Sequence, residues 1–467
     1  MNRNFRNVVI QMNKAVFGIC LRAEDEHIIT SNRIQNQLTS HSAILIKLFI
    51  IVVMANGLIA NFAPSIGVNA GTLCIDAMVI VLSIAAVFKE LSGNSKGRSI
   101  IPTGYVFLFV AFCLIVAATA LSVAIVGYYV PGLLSDLRIR ILYFFVAPMV
   151  YVLLDQRDSM KVFRFFINCG TVFCLFAIIQ SLFADVLDAK FLSVEYDGTL
   201  ALSWSDETMS ATLRSNALMG NAIEFGGVCI LLFVCSLCEA FSTGFSLFKV
   251  FRIAIIACGC YCTYSRVAFA GMLVLAVFSY LRLGKTQGVN KYLKFAFAAA
   301  AIGAALFLLL GESALMDRYL GQDEFTSASN EAHSNNIVKS IEVISENPLF
   351  GTGLGTQLVS DERATADGWW FQLAAETGIF VFLLYIYMFV FLAVRSFEVQ
   401  KKSSGFAETM SVSLFLSLAY FMAVSVVNSS FFGRADLCLF FTLTGCWLSV
   451  SSTGFPASPV RKERLSR

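Results

Sequence analysis

Apolar runs long enough to cross a bilayer recur from residue 43 to residue 453, and they restrict this chain to a small set of folds. A run of about 17 to 25 apolar residues crosses the hydrocarbon core as a helix, because a helix satisfies its own backbone polar groups where no water can. The alternating segments of roughly 10 residues that build an outer-membrane barrel are not the pattern. Composition agrees: 57% of the 467 residues are hydrophobic and 14% are charged, too little polar surface for a water-soluble fold of this size. The expected class is all-α, a polytopic membrane protein with twelve spans at 43–62, 66–88, 100–127, 141–154, 165–187, 221–243, 251–264, 267–283, 295–310, 369–394, 408–428 and 436–453.

Lys and Arg near span ends resist translocation and so set the orientation. With residue 1 inside, the inward loops and tails carry 24 of the 34 basic residues, the outward loops nine, and Lys47 lies within the first span. This predicts a cytoplasmic tail over 1–42, a membrane domain over 43–453 and a second cytoplasmic tail over 454–467. The first forty residues lack the apolar core and small-residue cleavage site of a signal peptide.

None of the 13 cysteines falls in an outward loop, so structural disulfides are not expected. Cys258, Cys260 and Cys262 suggest a metal site at first sight, but on a helix only Cys258 and Cys262 share a face. They read as small apolar fillers. With no GxGxxG, Walker A or HExxH pattern, no cofactor, metal or nucleic-acid partner is expected.

Two outward loops are long, 188–220 and 311–368, and loops beyond roughly 12 to 15 residues are usually functional or disordered. In the second, HSNNIVKSIEVISENP places Ile337, Ile341 and Ile344 on one helical stripe, and Pro348 ends it. A helical cap on the outer face follows. Gly351, Gly353 and Gly355 in NPLFGTGLGT act as its hinge, allowing sharp turns and close backbone approach; the plainer reading is that they only return the chain to the next span.

Outward cations are few. Arg214, Arg266 and Arg318 stand out, and Arg266 lies between two closely spaced spans, where a charge faces a polar interior or snorkels to head groups. Guanidinium groups suit a diphosphate, because they keep their charge and donate in bidentate geometry. Fixed positive charge stabilises a departing diphosphate without a metal ion. A base must also take a proton from an attacking hydroxyl. The candidates are Asp367, Glu376 and His333, with Glu195, Asp197, Asp206 and Glu207 further off. Glu376 is expected about two and a half turns inside the tenth span, where it needs a partner. Asp367 has a structural alternative as a helix N-terminal residue.

SRVAFAG at 265–271, NPLFGTGLGT at 347–356 and DGWWFQLAAETGIF at 367–380 resemble, in that order, the O-antigen ligase and Wzy polymerase family of bacterial envelope glycosyltransferases. The resemblance covers roughly 200–395. It implies a GT-C-like, metal-independent enzyme that takes an undecaprenyl-diphosphate-linked glycan on the periplasmic side. Arg214 and Arg266, and less directly Arg318, correspond to the family's diphosphate-holding arginines. Ligases typically open the post-cap span with a histidine, where this chain has Asp367; His333 stands where members often carry an arginine. Aspartate there is more often tolerated in polymerases. The favoured reading is therefore a Wzy-type polymerase joining lipid-linked oligosaccharide donor and acceptor, with a chain-length regulator as a candidate further partner. The alternatives are transfer of glycan to lipid A-core, and a transporter or flippase. Transporters commonly show internal repeats, which this chain lacks.

Overall fold

A computed structural model describes residues 41–62, 70–92, 105–128, 130–184, 186–188, 191–192, 202–204, 211–283, 324–355, 368–426 and 433–452. Helix α1 (His41–Met54) meets α2 (Asn56–Phe62) at a 63° bend. Then come α3 (Ala70–Leu91), α4 (Val106–Val126), α5 (Val130–Arg140), a single 3-10 turn (Leu142–Phe145), α6 (Val146–Leu153) and α7 (Gln156–Leu182). After two short strands follow α8 (Ala222–Thr243), α9 (Leu247–Tyr261), α10 (Arg266–Leu283), α11 (Glu324–Glu346), α12 (Trp369–Lys402), α13 (Phe406–Val424) and α14 (Arg434–Ser451). Local chemistry sets several of these starts. Asp155 caps α7 by accepting from the Asp158 N–H at 2.7 Å, and Asn221 caps α8 by accepting from Ile223 and Glu224.

Among the described residues six helices, α3, α4, α7, α8, α12 and α13, are long and apolar enough to cross a membrane, or seven crossings if the bent α1–α2 pair is one span. A helix coincides with every span read from the sequence except 295–310, which lies outside the described residues. Length separates the two counts. With 8 residues α6 reaches about 12 Å and with 15 residues α9 about 22 Å, short of a core near 30 Å. Twelve crossings therefore do not stand on these helices.

The all-α expectation has one exception. Strands β1 (Leu202–Trp204) and β2 (Ala211–Leu213) form an antiparallel ribbon in register Leu202 to Leu213 inside the first long loop. Elsewhere helix packs on helix around α8, whose apolar stretch is 94% buried against 22% for α4. In α8 the small side chains of Gly226, Gly227, Cys229, Ser236 and Cys238 let neighbouring helices come close.

The helical stretch expected in the second long loop is present as α11 and packs against α12, but its inward stripe differs from the sequence reading. Ile337 and Ile344 are half-buried, whereas Ile341 is 53% exposed. Ser340, with its hydroxyl bonded to the Asn336 carbonyl, takes the buried position between them.

Candidate functional site

The 34-residue α12 is not one straight rod. In a continuous helix Trp369 and Phe389 would stand about 30 Å apart, yet their rings lie 6.3 Å apart, and Trp369 and Tyr385 lie 5.5 Å apart. The chain folds back on itself at Gly378, which adopts φ 82° and ψ 169°. The result is a helical hairpin: Trp369–Thr377 forms one arm and Ile379–Lys402 the other. Glu376 therefore sits just before the turn of this hairpin rather than two turns down a membrane span, which corrects the sequence reading.

A broken helix leaves carbonyls and N–H groups without partners, and NPLFGTGLGT supplies them. The N–H groups of Thr352 and Gly353 donate to the carbonyls of Ala375 and Glu376 at 2.8 and 3.1 Å. Pro348 accepts from the N–H of Ile379 at 2.8 Å. The Ser122 hydroxyl of α4 donates to the Phe350 carbonyl at 2.6 Å, and Tyr128 pairs with Leu354 in a lone parallel bridge. This clamp requires glycine. Gly351, Gly353 and Gly355 have φ of 69°, 100° and 80°, a region other residues avoid. A Cβ on Gly351 would fall inside the backbone of Glu376, and one on Gly353 would lie 2.7 Å from the Gly127 carbonyl oxygen. The three glycines are buried, and Gly351 and Gly353 allow close approach of the two backbones.

Beneath the clamp a buried ion pair ties the hairpin to α5. Arg140, 3% exposed, contacts the carboxylate of the wholly buried Glu376, and Asp136 lies 3.9 Å from the same guanidinium. Tyr385 donates to the Arg140 carbonyl at 2.5 Å. Breaking such a pair is costly, because it leaves one charge buried alone. Glu376 thus has the partner its position demanded, and that partner, Arg140, was counted in the sequence only as an outward cation.

Further polar groups gather at this end of the bundle. Arg138 pairs with Asp76 at 2.6 Å, and Tyr143 donates to the same carboxylate at 3.1 Å. Arg434 bonds the Thr72 hydroxyl, while Glu224 accepts from the N–H groups of Arg434 and Ala435 that open α14, a favourable place for a carboxylate. Asp436 is 1% exposed, and among the described residues its carboxylate oxygens have no hydrogen-bond partner. It lies flat on α8, where a Cβ on Gly227 would come within 2.7 Å of both oxygens.

The segment 214–220 crosses the same end as a strap. Ser215 donates to the Cys262 carbonyl at 3.0 Å, and Arg214 Nε donates to the Thr263 carbonyl at 3.3 Å. Arg214 is thereby held against the turn that leads through Ser265 into α10. Ala217 and Leu218 have φ of 47° and 75°, and Tyr264 in the facing turn has 53°. Such conformations cost about 1–3 kcal/mol each and persist where surroundings over-determine them.

The α9–α10 turn, the clamp and the hairpin's bend all fall within residues 251–386, which match the family model Wzy_C, described as O-antigen ligase. This stretch is similar to the O-antigen ligase domain. No curated protein matches the chain.

The matched stretch contains Arg266, Glu376, the glycine clamp and His333, whereas Arg214 and Arg140 lie outside it. Arg266 is the first residue of α10, three positions after Thr263, so the strap carrying Arg214 and the helix carrying Arg266 are neighbours. The backbone of His333 belongs to α11; the side chains of Arg266 and His333 are outside those described. Asp367, Arg318, Glu195, Asp197, Asp206 and Glu207 lie outside the described residues. Sequence reasoning missed Arg140, Asp436 and two polar residues bonded to the strap's backbone, Gln180 and Asn216, whose side-chain oxygens accept from the Ala217 and Leu218 N–H groups. The only signal was the placement of polar residues within or beside apolar runs, which for Asp436 and Gln180 marks an intramembrane polar group.

Proposed function

We propose that this chain is a periplasm-facing glycosyltransferase of the inner membrane that polymerises undecaprenyl-diphosphate-linked repeat units into surface polysaccharide. The observation that carries it is the bonding of the Arg214 strap to the turn before Arg266, inside and beside the stretch that matches the O-antigen ligase family model. Cationic residues carried on neighbouring stretches of backbone suit a diphosphate, whose charge rises as it leaves. Arg214 and Arg266, with Arg318 from the second loop, hold that diphosphate.

In the transfer the acceptor hydroxyl oxygen attacks the anomeric carbon of the donor glycan. The bond from that carbon to the phosphate oxygen breaks, and its electron pair leaves with the diphosphate. Asp367 takes the hydroxyl proton, with His333 as the alternative base. Glu376 is assigned to holding Arg140 and the hairpin, since its carboxylate is engaged there. The α11 helix caps the site and the clamp ties it to the hairpin.

The test is chain extension by the full-length protein from purified lipid-linked repeat units. Arg214→Ala and Arg266→Ala should insert normally and lose the polymer ladder. An unaltered ladder removes the arginines from the site. Asp367→Asn should slow extension by about 100-fold or more if it is the base. Transfer to lipid A-core is the second reading, favoured by the description of the matching family model. Offering both acceptors to the same preparation separates the two.

A further inference from the structure

We infer that Gln180, buried near the end of α7, is a positioning residue that holds the Arg214 strap in its strained form for diphosphate binding; this rests on the role proposed for Arg214. Gln180 is 0% exposed, and all the hydrogen-bonding directions of its amide that matter here are used. Its Nε2 donates to the Phe191 carbonyl at 2.5 Å and to Asn216 Oδ1 at 3.3 Å, and its Oε1 accepts from the Ala217 N–H at 2.9 Å. Asn216 Oδ1 accepts in turn from the Leu218 N–H at 3.1 Å.

These bonds fall on the two left-handed residues, Ala217 and Leu218, neither of which is a glycine. A left-handed conformation costs an ordinary residue about 1–2 kcal/mol, so the strap needs outside bonds to keep it. Gln180 supplies one bond directly and one through Asn216. The Leu218 carbonyl accepts from Leu58 of α2 at 3.0 Å, and Ser215 is bonded to Cys262. The strap is therefore tied to α2, to α7 and to the α9–α10 turn, with Arg214 at its leading end. A side chain that only filled space would not need an amide. Gln180 acts on the donor through Arg214 without touching it.

The test is hydrogen exchange at Ala217 and Leu218, with undecaprenyl diphosphate binding in parallel, on the full-length protein in nanodiscs. Gln180→Leu should raise exchange at these amides about tenfold and weaken binding of the probe by a similar factor. Adding Ala217→Gly to that variant should recover about fivefold of each, because glycine takes the left-handed form without penalty. A residue that served only packing would not respond to that glycine. Gln180→Glu keeps the shape and the acceptor for Ala217 but loses the amide donation to Asn216, so it should raise exchange at Leu218 and leave Ala217 less affected than Gln180→Leu does. Unchanged exchange in Gln180→Leu and Gln180→Glu, or no recovery with Ala217→Gly, overturns the inference. Failure of the unaltered protein to bind undecaprenyl diphosphate would instead remove the proposed function, and the exchange result would still decide whether Gln180 holds the strap.

Discussion

The glycine clamp at 347–355 and the strap at 214–220 both hold backbone in left-handed conformations at the same end of the bundle, but by opposite means. The clamp places Gly351, Gly353 and Gly355 at positive φ and lets them close directly on the hairpin turn at Gly378. The strap places Ala217 and Leu218 there and holds them with buried amides from Gln180 and Asn216. Glycine takes such a conformation without steric cost, so the clamp can be encoded within ten adjacent residues. The strap's conformation has to be imposed by residues far along the chain. Local encoding suits a tight joint between two backbones; remote encoding places a side chain, Arg214, in relation to two helices and a turn.

That contrast can be broken from several sides. The largest effect is expected at the ion pair under the clamp. Arg140→Ala should destabilise the protein by about 3–5 kcal/mol, because it leaves Glu376 buried without its partner. Thermal unfolding in detergent measures this, and Arg140→Leu combined with Glu376→Leu should recover most of the loss. A change below about 1 kcal/mol would mean that the pair does not anchor the hairpin. Next, Gly378→Ala and Gly351→Ala should each cost about 3 kcal/mol, from backbone strain and from a Cβ forced into Leu349 or Glu376. Proteolysis within 347–380 should rise with them. If these variants unfold like the parent, the clamp is looser than its contacts indicate.

On the strap side the effects are smaller. Asn221→Ala, which removes the cap where the strap enters α8, should cost about 1 kcal/mol. Smallest of all is Ala217→Gly alone. Relief of about 1 kcal/mol of left-handed strain should raise the unfolding midpoint only slightly. A loss near that of Gly351→Ala would erase the distinction between the two regions.

The clamp was the more legible of the two. NPLFGTGLGT announces turns and close approach through its glycines and proline, and its position after a polar helix pointed to a structural joint. Its partner was not legible: WWFQLAAETGIF reads as the start of a continuous apolar span, because Gly378 is a single glycine in a helical pattern. Only the ring contacts from Trp369 to Tyr385 and Phe389 show the fold-back. The strap gave less signal still. Arg214 drew attention as a scarce outward charge, but nothing near LRSNALMGN names Gln180, which lies 34 residues earlier.

By itself the sequence determined the class of fold and many helical starts, since these follow from hydropathy and capping chemistry along short stretches of chain. The tertiary structure alone decided that α12 is a hairpin, that Glu376 belongs to Arg140, and that Arg214 lies against the approach to Arg266. Those outcomes depend on which distant backbone groups meet when orphaned carbonyls, buried charges and strained residues must all be satisfied in one packed end of the bundle, and no local pattern carries that information.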